Sequence, residues 1–122
     1  MMAAVRSKDT EPELLVRRLV HGMGYRYRLH RPDLPGKPDL VLPGRRKIIF
    51  VHGCFWHQHG CVLSHLPKSN ESYWTPKLER NRERDIEHLR ALRATGWKCL
   101  VVWECQLKES NRLLRRLAKF LR

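Results

Sequence analysis

The amino-acid sequence predicts an α/β domain, with helices covering both faces of a central mixed β-sheet. Three observations support this fold class. Helical and strand-like segments follow one another in the order α-β-β-β-α-β-α. Short turns separate the first three strand segments, as in a three-stranded meander. The segment WKCLVVW (97–103) is a continuous apolar run, typical of a strand buried on both faces. At 122 residues, we expect one domain, 1–122.

The first predicted helix covers residues 11–23. Thr10 and Glu13 have the spacing of a capping box, and Pro12 suits a first helical turn. Gly22 and Gly24 end the apolar pattern. The apolar residues at helical intervals are Leu14, Leu15, Leu19, Val20 and Met23.

Strands and two further helices follow. The predicted strands are YRYRL (25–29), DLVL (39–42), KIIFV (47–51) and WKCLVVW (97–103), with RPDLPGKP and PGRR as turns between the first three. Pro76 is predicted to open a long charged helix that runs to Thr95 and stops at Gly96. Its inner stripe is Leu78, Ile86, Leu89 and Leu92. A terminal helix is marked by Leu113, Leu114, Leu117, Phe120 and Leu121.

The composition indicates a polyanionic partner. Lys and Arg number 25 against 12 Asp and Glu, a formal net charge of +13. Such a surface favours nucleic acid, although a solvated basic surface or a ribosomal-type RNA binder has the same charge. No apolar run approaches the roughly 20 residues that span a bilayer, and the N-terminus has no hydrophobic signal segment. We therefore expect a cytoplasmic protein.

The segment IIFVHGCFWHQHGC (48–61) contains candidate zinc ligands. Cys54, His59 and Cys61 supply the thiolates and imidazole that tetrahedral Zn²⁺ prefers. Cys105, just past the last strand, can complete the set if that strand lies beside KIIFV. Cys99 lies within the strand and is expected to behave as a small hydrophobic residue. The competing interpretation is two disulfides or four plain thiols.

The remaining histidines and one aspartate suggest a second metal site. His52 and His57 are suited to proton transfer near neutral pH. Asp39 offers the carboxylate that Mg²⁺ needs. Together beside a basic surface, these groups suit phosphodiester hydrolysis. Singly, Asp39 can also shape the turn after Pro38, and His52 can satisfy a buried carbonyl.

Five stretches together resemble the very short patch repair (Vsr) DNA mismatch endonucleases. They are RSKDTEPE, LPGKPDLV, IIFVHGCFWHQHGC, YWTPKLERNRERD and GWKCLVVWEC, in order along nearly the whole chain. HGCFWH after PGKPD at this distance is highly specific. The resemblance implies a restriction-endonuclease-like fold with a structural zinc site. It also implies a Mg²⁺-dependent nick in one strand of double-stranded DNA beside the thymine of a T:G mismatch.

The resemblance also implies roles for individual residues. Asp39 is the metal-binding carboxylate, and Val51 is a ligand through its backbone carbonyl. His52 and His57 assist through metal-bound water and proton transfer, and Glu13 matches an acidic residue of the active centre. The structural zinc ligands are Cys54, His59, Cys61 and Cys105.

DNA contacts are implied in the same way. Phe55 and Trp56 match rings that insert beside the mismatch and replace lost stacking. Trp74 matches a further aromatic residue of that wedge. Met2 matches a residue that enters from the other groove, and Lys77 and Asn81 match contacts to the mismatched bases or their backbone. Core packing for the aromatic pair and a solvated helix face for Lys77 and Asn81 are the alternatives.

The chain departs from related patterns at several positions. The strand FVHG lacks the second carboxylate and the lysine of familiar restriction-type centres, a departure that the Vsr family shares. Val51 stands where a Thr is usual, and Gln58 and Gly60 interrupt a histidine run. Relatives usually carry an additional arm before the position of Met2, so we expect weaker DNA binding or less strict site recognition here.

Three other functions remain open at this stage. A ββα-metal (HNH-like) nuclease also combines zinc cysteines with a catalytic His, but the strand before His52 argues against it. A non-catalytic zinc-stabilised DNA-binding module recognising distorted duplex is the second, and an endonuclease with relaxed mismatch specificity is the third. For the mismatch endonuclease we expect a monomer associated with the bacterial nucleoid, with a mismatch-repair protein as a possible partner and no membrane contact.

Overall fold

A computed structural model of the chain describes residues 10–29, 31–53 and 71–122, and for residues 71–74 only the backbone. The helices are α1 (Glu11–Gly22), α2 (Glu71–Ala94) and α3 (Ser110–Leu121). The strands are β1 (Arg28–Leu29), β2 (Leu40–Leu42), β3 (Lys47–His52) and β4 (Lys98–Trp103). Short 3-10 helices cover Pro43–Arg45 and Glu104–Lys108. This is the predicted order of elements.

The four strands form one mixed sheet in the order β1-β2-β3-β4. β1, β2 and β3 are antiparallel neighbours, which confirms the predicted meander. β3 and β4 run parallel, with His52 opposite Trp103. All six residues of β3 are buried, so this strand is the centre of the domain.

Helices pack on both faces of the sheet, as predicted. Alternate residues of β3 point to opposite faces, so Ile49 and Val51 belong to one core cluster and Ile48 and Phe50 to another. The first cluster includes the buried residues Val16 and Val20 of α1 and Leu113, Leu117 and Leu121 of α3. The second includes Leu92 of α2. Each face of β3 is therefore covered by different helices.

The N-terminal end of α1 is fixed by its cap. The Thr10 hydroxyl accepts a hydrogen bond from the Glu13 backbone N–H at 3.4 Å, and Pro12 lies in the first turn as predicted. The helix ends at Gly22, one residue before the predicted end. Its buried residues are Glu13, Val16 and Val20, whereas Leu14 of the predicted apolar pattern is exposed. The first turn of α1 therefore places the Glu13 carboxylate in the protein interior.

The prediction that Pro76 opens the long helix is wrong. The helix begins at Glu71 and contains Pro76. A proline in the first turns of a helix removes one N–H donor, and here the helix continues through it. Ile86 of the predicted inner stripe is 53% exposed, whereas Leu78 and Leu92 are buried. At 100° per residue, Ile86 lies about 80° around the helix from Leu78, but Leu89 only about 20°.

The outer strands are shorter or less buried than predicted. β1 comprises two exposed residues, against the five predicted for 25–29. In β4 only Val102 is fully buried, because among the described strands β4 lies at the edge of the sheet. The expectation of a strand buried on both faces therefore fits β3 and not β4. Within the described residues, no helix is both long and apolar enough to cross a membrane.

Candidate active site

Asp39 lies directly before β2, where its side chain is tied to the neighbouring strand. Its Oδ2 atom accepts a hydrogen bond from the backbone N–H of Val51 at 2.6 Å. Val51 is the penultimate residue of β3. The predicted carboxylate and the predicted backbone ligand are therefore in direct contact at one end of the central strand. This bond also limits the rotation of the Asp39 carboxylate.

Glu13 brings a second carboxylate to Asp39. Glu13 is only 3% exposed, and the two carboxyl groups interact by a hydrogen bond and by charge. Burial raises the pKa of Asp39 to about 7, the Val51 N–H opposes this rise, and the Glu13 charge and hydrogen bond add to it. Near neutral pH the Asp39 carboxyl group therefore gains or loses a proton with little cost. Two carboxylates forced together in this way suit a hard divalent cation, which removes their repulsion.

Arg17 is a third member of this cluster, and sequence reasoning missed it. Its Nη2 atom donates to Glu13 Oε2 at 3.2 Å, and the two side chains are 12% and 4% exposed. The Arg17 charge acts against the rise in the Asp39 pKa. The signal was available, because Glu13 and Arg17 are four residues apart on a predicted helix and hence on the same face.

His52 is the last residue of β3 and follows Val51 directly. It is 7% exposed. Its ring meets Trp103 edge-on at 5.2 Å between centroids and lies tilted against Phe50 at 5.4 Å. Because alternate residues point to opposite faces, the imidazole lies on the α2 side of the sheet with Phe50. The aromatic rings fix its orientation at the strand end that also holds the Asp39 carboxylate.

The proposed zinc ligands are only partly within the described residues. Cys105 is half-buried and lies two residues past Trp103, which pairs with His52. The predicted adjacency of KIIFV and the last strand is thus confirmed. Cys54 is two residues past His52 in sequence, but it lies outside the described residues, as do His59 and Cys61. Cys99 lies within β4, and burial raises the pKa of its thiol.

Within the described ranges, no three His, Cys, Asp or Glu side chains converge as a metal site. The predicted DNA-binding residues are likewise only partly visible. Lys77 is exposed and Asn81 half-buried, one turn apart on α2, and Asn81 Oδ1 accepts a hydrogen bond from Arg84 at 2.5 Å. Outside the described part of the chain lie His57, Met2, Phe55, Trp56 and the side chain of Trp74.

Comparisons with known proteins agree on one family. The family model for DNA mismatch endonuclease Vsr matches residues 1–63. Type II nicking enzyme V.XorIIP of Xanthomonas oryzae pv. oryzae is 55% identical over 121 residues, covering 99% of this chain and 89% of the relative. DNA mismatch endonuclease Vsr of Escherichia coli (strain K12) is 39% identical over 112 residues, covering 92% of this chain and 72% of the relative.

A solved structure shares the fold. The catalytic domain of homing endonuclease I-Bth0305I superposes with a TM-score of 0.63, covering 92% of this chain and 94% of that domain. The two sequences are 20% identical, so the similarity concerns the fold alone. An endonuclease catalytic domain thus has the same arrangement of a mixed sheet and flanking helices.

Proposed function

The chain belongs to the Vsr family of DNA mismatch endonucleases, and we propose that it nicks one strand beside the thymine of a T:G mismatch with Mg²⁺ as cofactor. One observation supports the catalytic assignment above all others. The buried carboxyl groups of Glu13 and Asp39 meet at the end of β3, where the Val51 N–H holds Asp39 in place. Two carboxyl groups buried in contact cost stability when both are ionised, so this arrangement is typical of a functional site.

The donor set at this point suits Mg²⁺. Asp39 and Glu13 would offer carboxylate oxygens, and the Val51 backbone carbonyl belongs to the residue that already contacts Asp39. When bound, Mg²⁺ neutralises charge on the scissile phosphate and makes a water molecule more acidic. The residues of the chain position this chemistry: the Val51 N–H restrains Asp39, and helix α1 brings Glu13 into contact with it.

Histidine is proposed to move the protons. Hydrolysis needs a group that accepts a proton from the attacking water and one that donates a proton to the leaving oxygen. His52 is the last residue of β3 and follows Val51 directly, and its ring contacts those of Phe50 and Trp103. His57, five residues further on in sequence, is the second imidazole that we assign to this role.

A structural zinc ion is proposed to hold the segment after β3. Cys54, His59 and Cys61 would bind it together with Cys105. Support comes from the parallel pairing of β3 and β4, in which His52 lies opposite Trp103. In sequence, Cys54 is two residues after His52 and Cys105 is two residues after Trp103. A Cys3His set is a common structural zinc site.

Recognition of the mismatch is assigned to aromatic wedges and a basic surface. Phe55, Trp56 and Trp74 would replace stacking lost at the opened step, and Met2 would enter from the other groove. Lys77 and Asn81 would contact bases or phosphates from one side of α2. The net charge of +13 supplies attraction to the DNA backbone. We further propose a monomer that acts in the bacterial cytoplasm at the nucleoid, with a mismatch-repair protein as partner.

Nicking of a labelled T:G duplex, with a T:A duplex of the same sequence beside it, tests this proposal. We expect cleavage of the T:G duplex only, with Mg²⁺ and not with EDTA. Asp39→Ala is expected to lower the rate by about 10³-fold or more, since it removes several kcal/mol of charge stabilisation. His57→Ala tests the second imidazole, and Arg115→Ala, an exposed residue of α3, is the control.

Equal cutting by wild type and Asp39→Ala would remove the catalytic assignment. Mismatch binding that survives EDTA, with no cleavage under any divalent ion, would instead identify a non-catalytic module. Equal cutting of T:G and T:A duplexes would support nuclease activity but contradict mismatch specificity. Zinc content near zero in protein purified without chelator would contradict the structural zinc site.

A further inference from the structure

Arg17 occupies an unusual position for an arginine. Its side chain is 12% exposed although the sequence places it on a surface helix of a small domain. The guanidinium donates from Nη2 to Glu13 Oε2 at 3.2 Å, and the Tyr27 hydroxyl donates to the Arg17 backbone carbonyl at 3.5 Å. The next residue, Arg18, is exposed on the same helix. Two consecutive arginines therefore have different environments, one against the carboxylate cluster and one in solvent.

The charges of the cluster explain why a buried arginine is needed. Glu13 and Asp39 are in contact, and Arg17 is close enough to act on the charge of Asp39. Like charges in contact repel strongly where water is excluded. A neighbouring cation reduces this repulsion. Because the guanidinium hydrogen-bonds one oxygen of Glu13, it also limits the directions in which the remaining lone pairs of that carboxylate can point.

We propose that Arg17 is a positioning residue of the nicking reaction, which holds the Glu13 carboxylate against Asp39 in the orientation that a divalent cation requires. The inference rests on the proposed assignment of Glu13 and Asp39 to the metal site. In this role Arg17 contacts Glu13 rather than the metal or the DNA. Its effect passes through Glu13, in the manner of partners that orient metal ligands and whose removal typically costs about 10–100-fold in affinity or activity.

Three variants test this role. Arg17→Met removes the charge and keeps a long apolar side chain, Arg17→Lys keeps a cation without the planar fork, and Arg18→Met is the matched control one residue away. Each is compared in single-turnover nicking of T:G duplex at saturating Mg²⁺. Two further measurements are DNA affinity in EDTA, and the rise in melting temperature that Mg²⁺ produces without DNA.

We expect Arg17→Met to nick about 10–100-fold more slowly than wild type and to lose most of the Mg²⁺-induced rise in melting temperature. Its DNA affinity in EDTA should stay within about twofold of the Arg18→Met value, because the proposed role of Arg17 involves no DNA contact. Arg17→Lys should recover a large part of the lost rate, since it restores the ion pair. Should Arg17→Met fail to fold, Arg17→Gln takes its place under the same criteria.

Two results would overturn the inference. The first is an Arg17→Met rate within about twofold of Arg18→Met. The second is a loss of rate that follows an equal loss of DNA affinity in EDTA, with an unchanged response to Mg²⁺. Asp39→Ala in the same assay separates this inference from the proposed function. If Asp39→Ala is inactive while Arg17→Met is active, only the role of Arg17 fails, and if Asp39→Ala is active, the site assignment itself fails.

Discussion

The two ends of strand β3 handle buried charge in opposite ways. At its C-terminal end the Glu13 carboxyl group is in contact with Asp39, and burial together with Glu13 raises the pKa of Asp39. At its N-terminal end Lys47 is also buried, but its Nζ donates to the backbone carbonyls of Phe120 and Arg122, each at 2.6 Å. At one end two carboxyl groups therefore meet each other, whereas at the other end Lys47 is matched to carbonyl acceptors, although burial and the charges of Lys98 and Arg45 lower its pKa.

The residues next to Lys47 extend this matching. Arg45 donates to the Leu121 carbonyl at 3.2 Å, and Arg46 donates to the Thr95 carbonyl at 2.6 Å. These carbonyls lie at the C-terminal ends of α3 and α2, where backbone acceptors lack partners within the helix and the helix dipole favours a cation. The difference shows where stability and function are located, since the matched end supports the fold and the strained end provides the candidate active site.

Asp39→Asn should relieve the strained end and stabilise the metal-free protein. Burial and Glu13 raise the pKa of Asp39 from 3.8 to about 7, so the folded state binds more protons than the unfolded state between these values. Stability contributed by the protonated form is therefore lost as pH rises toward 7. The difference corresponds to at most about 4 kcal/mol. We expect Asp39→Asn to unfold at higher denaturant concentration than wild type at pH 8, and to lose nicking activity.

The pH dependence supplies the control for this prediction. At pH 4 wild-type Asp39 is largely protonated, so the two proteins should have nearly equal free energies of unfolding in urea with EDTA present. An Asp39→Asn variant that is less stable than wild type at pH 8 would mean that the carboxylate contributes to the fold rather than straining it.

Lys47→Met should weaken the matched end without affecting catalysis. The variant loses two charge-assisted hydrogen bonds to the end of α3. We expect the free energy of unfolding to fall by about 1–3 kcal/mol. The rate of nicking at a temperature where the protein is folded should stay within about twofold of wild type. Lys119 is an exposed lysine of α3, and Lys119→Met should change the free energy of unfolding by less than about 0.5 kcal/mol. A slower nick in Lys47→Met would contradict the separation of the two ends.

The affinity for Mg²⁺ should depend on pH, because the proposed metal site lies at the strained end, at Asp39. A carboxyl group must lose its proton to bind metal, and the pKa of Asp39 lies at about 7 in the metal-free protein. Below this value the apparent affinity should fall by up to about tenfold per pH unit, and above it the affinity should level off. Mg²⁺ titrations followed by melting temperature between pH 5.5 and 8.5 measure this. A flat profile would show that the metal does not bind at Asp39.

The sequence predicted the order of the elements well, because turn residues and apolar periodicity are local signals. The start of α2 and the exposure of Ile86 were not predictable in this way. The helix begins five residues before Pro76, although a proline is a local signal for a helix start, and the side of α2 that is buried depends on its packing against the sheet. The burial of β3 and the edge position of β4 likewise follow from tertiary pairing, which a single apolar run does not specify.

The residues of the candidate site differ in how well the sequence predicted them. Asp39 and His52 follow from residue chemistry at strand ends, and Glu13 follows only from the family resemblance. A glutamate in the first turn of a helix is ordinarily an exposed capping residue, so nothing local predicts that Glu13 is 3% exposed. The proposed role of Arg17 depends on that burial, because Arg17 acts through Glu13. Both residues acquire their importance from the packing of α1 against the sheet.

A double-mutant cycle tests most directly whether Glu13 and Asp39 act as one unit. Single-turnover nicking of a T:G duplex is measured for wild type, Glu13→Gln, Asp39→Asn and the double variant at saturating Mg²⁺. We predict that the double variant is no slower than Asp39→Asn alone, because both carboxylates serve the same ion. Fully additive losses in the logarithm of the rate would show that the two groups act independently, and would contradict the account.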